Sequence, residues 1–175
     1  MISKRLMEKK EWFGRRCKAL DTLAETMFTI LSISDSDKHF SSAIQEYEKR
    51  LWKQIFIKNL KPFKEENQAF VIEKETEKLI EVLHKKYAQA QKILLIKEWE
   101  QRDTIRFSEV IQGQETVFVI GWPYGVDEKK LKAEFPTMKM LSFGAITLPH
   151  GLAKLTLIEQ IYRATTLWSG KKYHY

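Results

Sequence analysis

The chain has 175 residues, of which 43 % are hydrophobic and 12 % aromatic, enough for a packed core and against a disordered chain. Its formal net charge of +7 calls for an anionic partner (a phosphate backbone, an anionic lipid head or an acidic protein) without choosing among them. Cys17 is the only cysteine, which excludes an intrachain disulfide and a cysteine-based metal site, and no apolar run approaches the roughly 18 residues of a membrane span.

A reducing, cytoplasmic setting is therefore expected. The basic first residues lead into no apolar stretch before Trp12, which argues against a secretory signal.

The first predicted helix runs from Lys4 to Leu31. Phe13, Cys17, Leu20, Ala24, Met27 and Leu31 recur at spacings of four and three, one apolar stripe on one helix face. The Ser/Asp run 32–37 ends it, because these side chains compete for the backbone. A second helix is predicted from Ser36 or Asp37 to Asn59, on the stripe Phe40, Ile44, Tyr47, Leu51 and Ile55, with Pro62 as its stop. A third begins near Lys64–Glu66 and extends towards Trp99 through Ile72, Leu79, Leu83, Tyr87 and Leu94.

Gly14 and Pro62 are the only glycine and proline before Gly113, and the others crowd into residues 113–175. Glycine costs stability inside helices and serves turns, so this shift marks a change of architecture. Ile105 and Phe107 alternate with polar residues, and Thr116–Ile120 is strongly apolar. The two stretches are read as strands of a hairpin around Gly113. Asp127 is placed as the cap of a short helix from Glu128 to Glu134, followed by a strand within Met138–Thr147 and a last helix from Leu152 to Leu167.

The expected class is α+β, mainly α. About three long helices form an N-terminal bundle over 1–102, and a small mixed α/β part with a β-hairpin fills 103–175. Leu20, Met27, Ile44, Leu51, Leu79 and Leu83 are expected to share one core.

Motifs of known chemistry are missing: no P-loop, no glycine-rich dinucleotide turn, no nucleophile elbow. No cofactor is expected. His39, His84, His150 and His174 have no second ligand at metal spacing, so no metal is expected either. His150, ahead of the last helix, has no evident partner. Asp103 and Arg106 read as a surface ion pair. The loop Gly121-Trp122-Pro123-Tyr124-Gly125 follows an apolar strand and reads as a turn, with a ligand-presenting loop as the alternative.

What remains is charge beside aromatics. Arg5, Lys9, Lys10, Trp12, Arg15 and Arg16 gather at the start of the first helix, and Lys171, Lys172 and Tyr173 in the C-terminal tail. Cations around an indole or phenol suit phosphate pairing with base stacking.

The expected function is a non-enzymatic binding protein associated with nucleic acid through these residues. The alternative is an adaptor or scaffold subunit that meets a protein partner, or a second copy, through Trp52 and Phe56 of the second helix. An enzyme with a dispersed site would need a pocket lined by His150, Asp103 and Tyr124.

Overall fold

A computed structural model describes residues 27–34, 38–97, 101–121 and 125–170. Strands and helices alternate along the chain: β1 (Phe28–Ile33), α1 (Ser41–Leu51), β2 (Ile55–Leu60), α2 (Gln68–Lys86), β3 (Gln91–Leu95), α3 (Thr104–Ile111), β4 (Thr116–Ile120), α4 (Glu128–Glu134), β5 (Lys139–Leu141) and α5 (His150–Trp168). The five strands form one sheet in the order β2-β1-β4-β3-β5, and every pairing is parallel.

Two apolar layers explain this arrangement. Phe28, Ile30, Ile93, Phe118 and Ile120 point to one face, where Ile44 and Leu51 of α1, Phe107 and Ile111 of α3, and Leu157, Ile158 and Ile161 of α5 cover them. Leu31, Ile33, Leu94, Val117 and Val119 point to the other, under Leu79 and Leu83 of α2 and Leu131 of α4. A strand covered on both faces needs apolar residues at consecutive positions, because successive side chains alternate sides. FTILSI in β1 and TVFVI in β4 are such runs, buried throughout.

The N-terminal helical bundle with a hairpin is therefore wrong. Leu31 was given to the first helix because Met27 and Leu31 are four apart, but the residues between them are apolar too. Periodicity cannot separate a short, fully buried run from a helix. The second helix stops at Leu51: Trp52 takes φ 51°, a left-handed value that ends the helix, and β2 follows. The third stops at Lys86 and KILL continues as strand.

The pattern around Ile105 and Phe107 is helical. Asp103 caps α3 by accepting from the Arg106 N–H at 2.8 Å, with Phe107, Ser108 and Ile111 buried and Ile105 64 % exposed. Gly113, at φ 74°, turns α3 into β4, which pairs in parallel with β1 and β3, so no hairpin forms there. Asp127 caps α4 as expected, accepting from the Lys130 N–H at 2.9 Å.

The expected single core is also corrected. Ile44 and Leu51 lie on one face of the sheet and Leu79 and Leu83 on the other; Met27 is 43 % exposed, and Leu20 lies outside the described residues.

Candidate functional site

The last residues of three strands, Leu95 of β3, Ile120 of β4 and Leu141 of β5, form the floor of a cavity of about 620 Å³. Open parallel sheets bind ligands in this place, outside the carboxyl ends of strands where the strand order changes direction. Here the chain doubles back from β3 to insert β4 beside β1, then crosses over to β5.

The walls come from the loops that follow these strands. Gly121 and Gly125 flank one loop, and Gly144 lies in another. Gly125 (φ 83°) and Gly144 (φ 119°) hold backbone conformations that L side chains rarely adopt. At all three the main chain borders the cavity without a side chain in the way. Apolar surface comes from Ile96, Val126, Ile146, Leu148 and Pro149, while Glu128, Thr147 and His150 supply polar groups.

Hydrogen bonds hold the loops in register. The Ser142 hydroxyl donates to the Lys97 carbonyl at 2.8 Å and accepts from the Gly144 N–H at 3.1 Å. Gln101 bridges to Ser142 in parallel fashion. The Asp127 N–H donates to the Thr76 hydroxyl at 3.0 Å, which ties the loop after β4 to α2.

The first turns of α5, which bring His150 and Ala153 to the cavity, are fixed from behind. A Cβ on Gly151 would come within 2.4 Å of the Phe40 ring, so only glycine allows that approach. Lys154, fully buried, donates to the Asn59 carboxamide oxygen at 2.9 Å. Its charge partly offsets the burial that raises the Glu48 carboxyl above its ordinary value.

Of the residues singled out from sequence, His150 is in the cavity lining. Asp103 is not: it caps α3, with Arg106 at 4.0 Å on the surface. Trp122 and Tyr124 lie outside the described residues, between two glycines that do line the cavity. Arg5, Lys9, Lys10, Trp12, Arg15, Arg16, Lys171, Lys172 and Tyr173 also lie outside them. Trp52 and Phe56 are exposed at the opposite end of the sheet, Trp52 just past the end of α1 and Phe56 in β2, so neither lies on the second helix as expected. Gly121 and Gly125 bound the loop whose alternative reading from sequence was ligand presentation, while Gly144, Glu128 and Thr147 were given no role in a site. Their signal, glycines placed directly after apolar strands, is only meaningful once the strands are known to be parallel.

Residues 27–174 match the family described as "Predicted SPOUT methyltransferase". The chain is 34 % identical over 155 residues to the ribosomal RNA large subunit methyltransferase H of Mycoplasmopsis agalactiae, covering 85 % of this chain and 99 % of that protein. It is 31 % identical to the protein of the same name from Mycoplasmopsis pulmonis, covering 83 % and 97 %. Among solved structures, a ribosomal RNA small subunit methyltransferase E from Neisseria gonorrhoeae, bound to S-adenosyl methionine, superposes with a TM-score of 0.53. It shares 16 % identity, covers 82 % of this chain and 67 % of that one, and thus supports the fold alone.

These matches overturn the reading of a non-enzymatic binding protein, and with it the adaptor or scaffold alternative. The absence of known catalytic motifs misled because this cavity is built largely from backbone and apolar walls at strand ends, which leave no dense signature. The chain belongs to the SPOUT methyltransferase family, and it is an enzyme.

Proposed function

We propose that the chain methylates ribosomal RNA, taking the methyl group from S-adenosylmethionine held in the cavity at the ends of β3, β4 and β5. The observation that carries this reading is the position of that cavity: it is lined throughout by residues of the segment that matches the family. Its volume lies within the roughly 300–1,000 Å³ range of cofactor pockets.

The lining suits the proposed cofactor. Leu95, Ile120, Leu141 and Leu148 offer apolar surface to a flat base. Gly121, Gly125 and Gly144 let backbone groups approach closely, and Glu128 puts a carboxylate where a cationic group would be favoured.

The bound cofactor supplies an electrophilic methyl on a sulfonium. The work of this chain is to orient that methyl, exclude water and receive the substrate's proton. His150 is the lining residue whose type ionises nearest neutral pH, and it is assigned the proton-handling role.

The RNA itself is assigned in part to the basic residues outside the described regions: Arg5, Lys9, Lys10, Trp12, Arg15 and Arg16, with Lys171, Lys172 and Tyr173. Replacing Arg5, Lys9 and Arg16 with Gln should flatten the salt dependence of RNA binding by about two to three in log–log slope.

Calorimetry with S-adenosylmethionine, and transfer of its labelled methyl to ribosomal RNA, test the core of the reading. Saturable binding and RNA labelling are expected. A protein that binds no S-adenosylmethionine, or that binds it and labels no RNA in either subunit, would overturn the assignment.

A further inference from the structure

One stretch of the chain carries charge of a single sign. Between Glu48 and Glu65 there are six Lys or Arg and no Asp or Glu. The stretch holds the end of α1 and all of β2, the strand at one edge of the sheet. Two large apolar side chains stand uncovered on it: Trp52 is 74 % exposed and Phe56 56 % exposed.

The edge combines features that are unfavourable in isolation. Trp52 holds φ 51°, the only positive φ outside glycine among the described residues, and a bulky side chain takes such a value at a cost in strain. That backbone leaves the indole outside, with the Lys53 ammonium 6.0 Å from its ring. Ile55 and Ile57 turn to the face covered by α1 and α5, so Phe56 and Lys58 turn to the other. There Lys58 meets Lys86, in the last turn of α2. Partial burial, and then this second ammonium, hold Lys58 below the ordinary lysine value. Among the described residues no carboxylate pairs with Lys53, Lys58 or Lys86, and Glu81, the acid nearest Lys86 along α2, is held by Lys85 at 2.5 Å. A strand of nucleic acid relieves such an arrangement, because bases cover exposed rings and phosphates neutralise neighbouring ammonium groups.

We propose, on the basis that RNA is the substrate, that this edge of the sheet docks an unpaired segment of it, with bases stacked on Trp52 and Phe56 and phosphates paired with Lys53, Lys58 and Lys86. Charge decides the occupant. Protein interfaces are depleted in lysine, and a membrane-binding face needs a wide apolar stripe, whereas here lysines alternate with single rings. A lysine on an edge strand also discourages strand pairing, but Trp52, ahead of β2, has no part in that. Trp52 and Phe56 are four residues apart, so their Cα atoms lie within about 14 Å and a few nucleotides reach both. The cavity at the carboxyl ends of β3, β4 and β5 is about 20–25 Å away, so this surface serves affinity for RNA and not the transfer step.

Fluorescence anisotropy with a labelled single-stranded RNA of about 20 nucleotides reads the surface directly. Trp52→Ala/Phe56→Ala should weaken binding at least tenfold with native circular dichroism. It should matter less for a duplex of the same sequence, whose bases already stack on each other. Lys53→Gln/Lys58→Gln/Lys86→Gln should also weaken binding and lower the log–log salt slope by about two. Ile105→Ala, another exposed apolar side chain, on α3, should change neither. In methyl transfer to ribosomal RNA, the aromatic double variant should raise KM while kcat and the affinity for S-adenosylmethionine stay within twofold of the parent.

Unchanged RNA affinity in both variants would overturn the proposal, and methyl transfer by the parent would then leave the function standing. A parent that binds the RNA and loses it in both variants, yet takes no S-adenosylmethionine, would support the surface and overturn the function. A parent that binds no RNA, or substitutions that change only the sedimentation of the protein, would overturn the surface as a nucleic-acid site.

Discussion

The two ends of the sheet are built differently. At the carboxyl ends, seven or eight residues separate each strand from the next helix: 34–40, 61–67, 96–103, 121–127 and 142–149. At the amino ends the connections are 52–54, 87–90, 112–115 and 135–138, three or four residues each. Short connections satisfy their backbone locally and leave no room for a ligand. Long ones must be pinned, and the pinning groups shape a cavity: Ser142 on Lys97 and Gly144, Thr76 on Asp127. Stability should therefore respond most to the strands and the short end, and binding to the long end.

The largest effect is expected where both ends depend on the same side chain. Phe118, fully buried at the centre of the sheet, contacts Phe28 and Phe107. Phe118→Ala should cost about 3–5 kcal/mol in urea unfolding. A loss below 1 kcal/mol would mean that the sheet centre is not the core.

The short end comes next. The Lys92 ammonium, largely buried, donates to the carbonyls of Ala88 and Ala90 at 3.0 Å and lies 5.2 Å from the Phe135 ring. Lys92→Met leaves those carbonyls without their donor and should cost about 1–3 kcal/mol. Affinity for S-adenosylmethionine, measured by calorimetry on the folded variant, should stay within a factor of two. A large loss of affinity would erase the distinction between the ends.

The long end should show the reverse. Gly125→Val puts a branched side chain at φ 83° on the cavity wall. It should weaken S-adenosylmethionine binding at least tenfold, about 1.4 kcal/mol, at a stability cost of about 1–2 kcal/mol. Unchanged affinity would remove the cavity from the function.

The smallest effect is a slope. Glu75 is buried on α2, where one oxygen accepts from the Phe63 N–H at 3.0 Å, and burial raises its carboxyl above the ordinary value. From pH 4.5 up to that raised value, the folded protein keeps a proton that the unfolded chain has released, so stability falls as pH rises through the window. Glu75→Gln should remove this part of the slope. Its thermal midpoint should gain on the parent from pH 4.5 to pH 7, and a constant offset across that range would refute the linkage.

How far the sequence carried this architecture depends on the element. Helices with a polar face were legible: Ser41–Leu51, Gln68–Lys86 and the last helix all fall inside predicted helices or overlap them closely. Asp127 as a cap was legible because capping is local chemistry. The strands β1, β2 and β3 were not. Each is short and buried on both faces or followed directly from a helix, and each extended a neighbouring apolar pattern without a break in composition. The site was legible at His150 and, as the alternative reading, in the loop bounded by Gly121 and Gly125. Much of it is backbone at Gly121, Gly125 and Gly144, and a glycine in a sequence does not say which ligand its backbone can approach.

The strand order also sets a timetable for synthesis. β1 and β2 are neighbours and can pair once residue 60 has left the ribosome, but β3 touches neither. It stays without a strand partner until β4, ending at Ile120, slides between it and β1, some 25 residues later. At about 5–20 residues per second that interval lasts one to several seconds, during which KILL is exposed apolar chain. A nascent chain halted with Ile111 as its last emerged residue should leave the amides of residues 91–95 open to hydrogen exchange, and one halted beyond Leu141 should protect them. A pause in translation between residues 95 and 120 would lengthen that exposure.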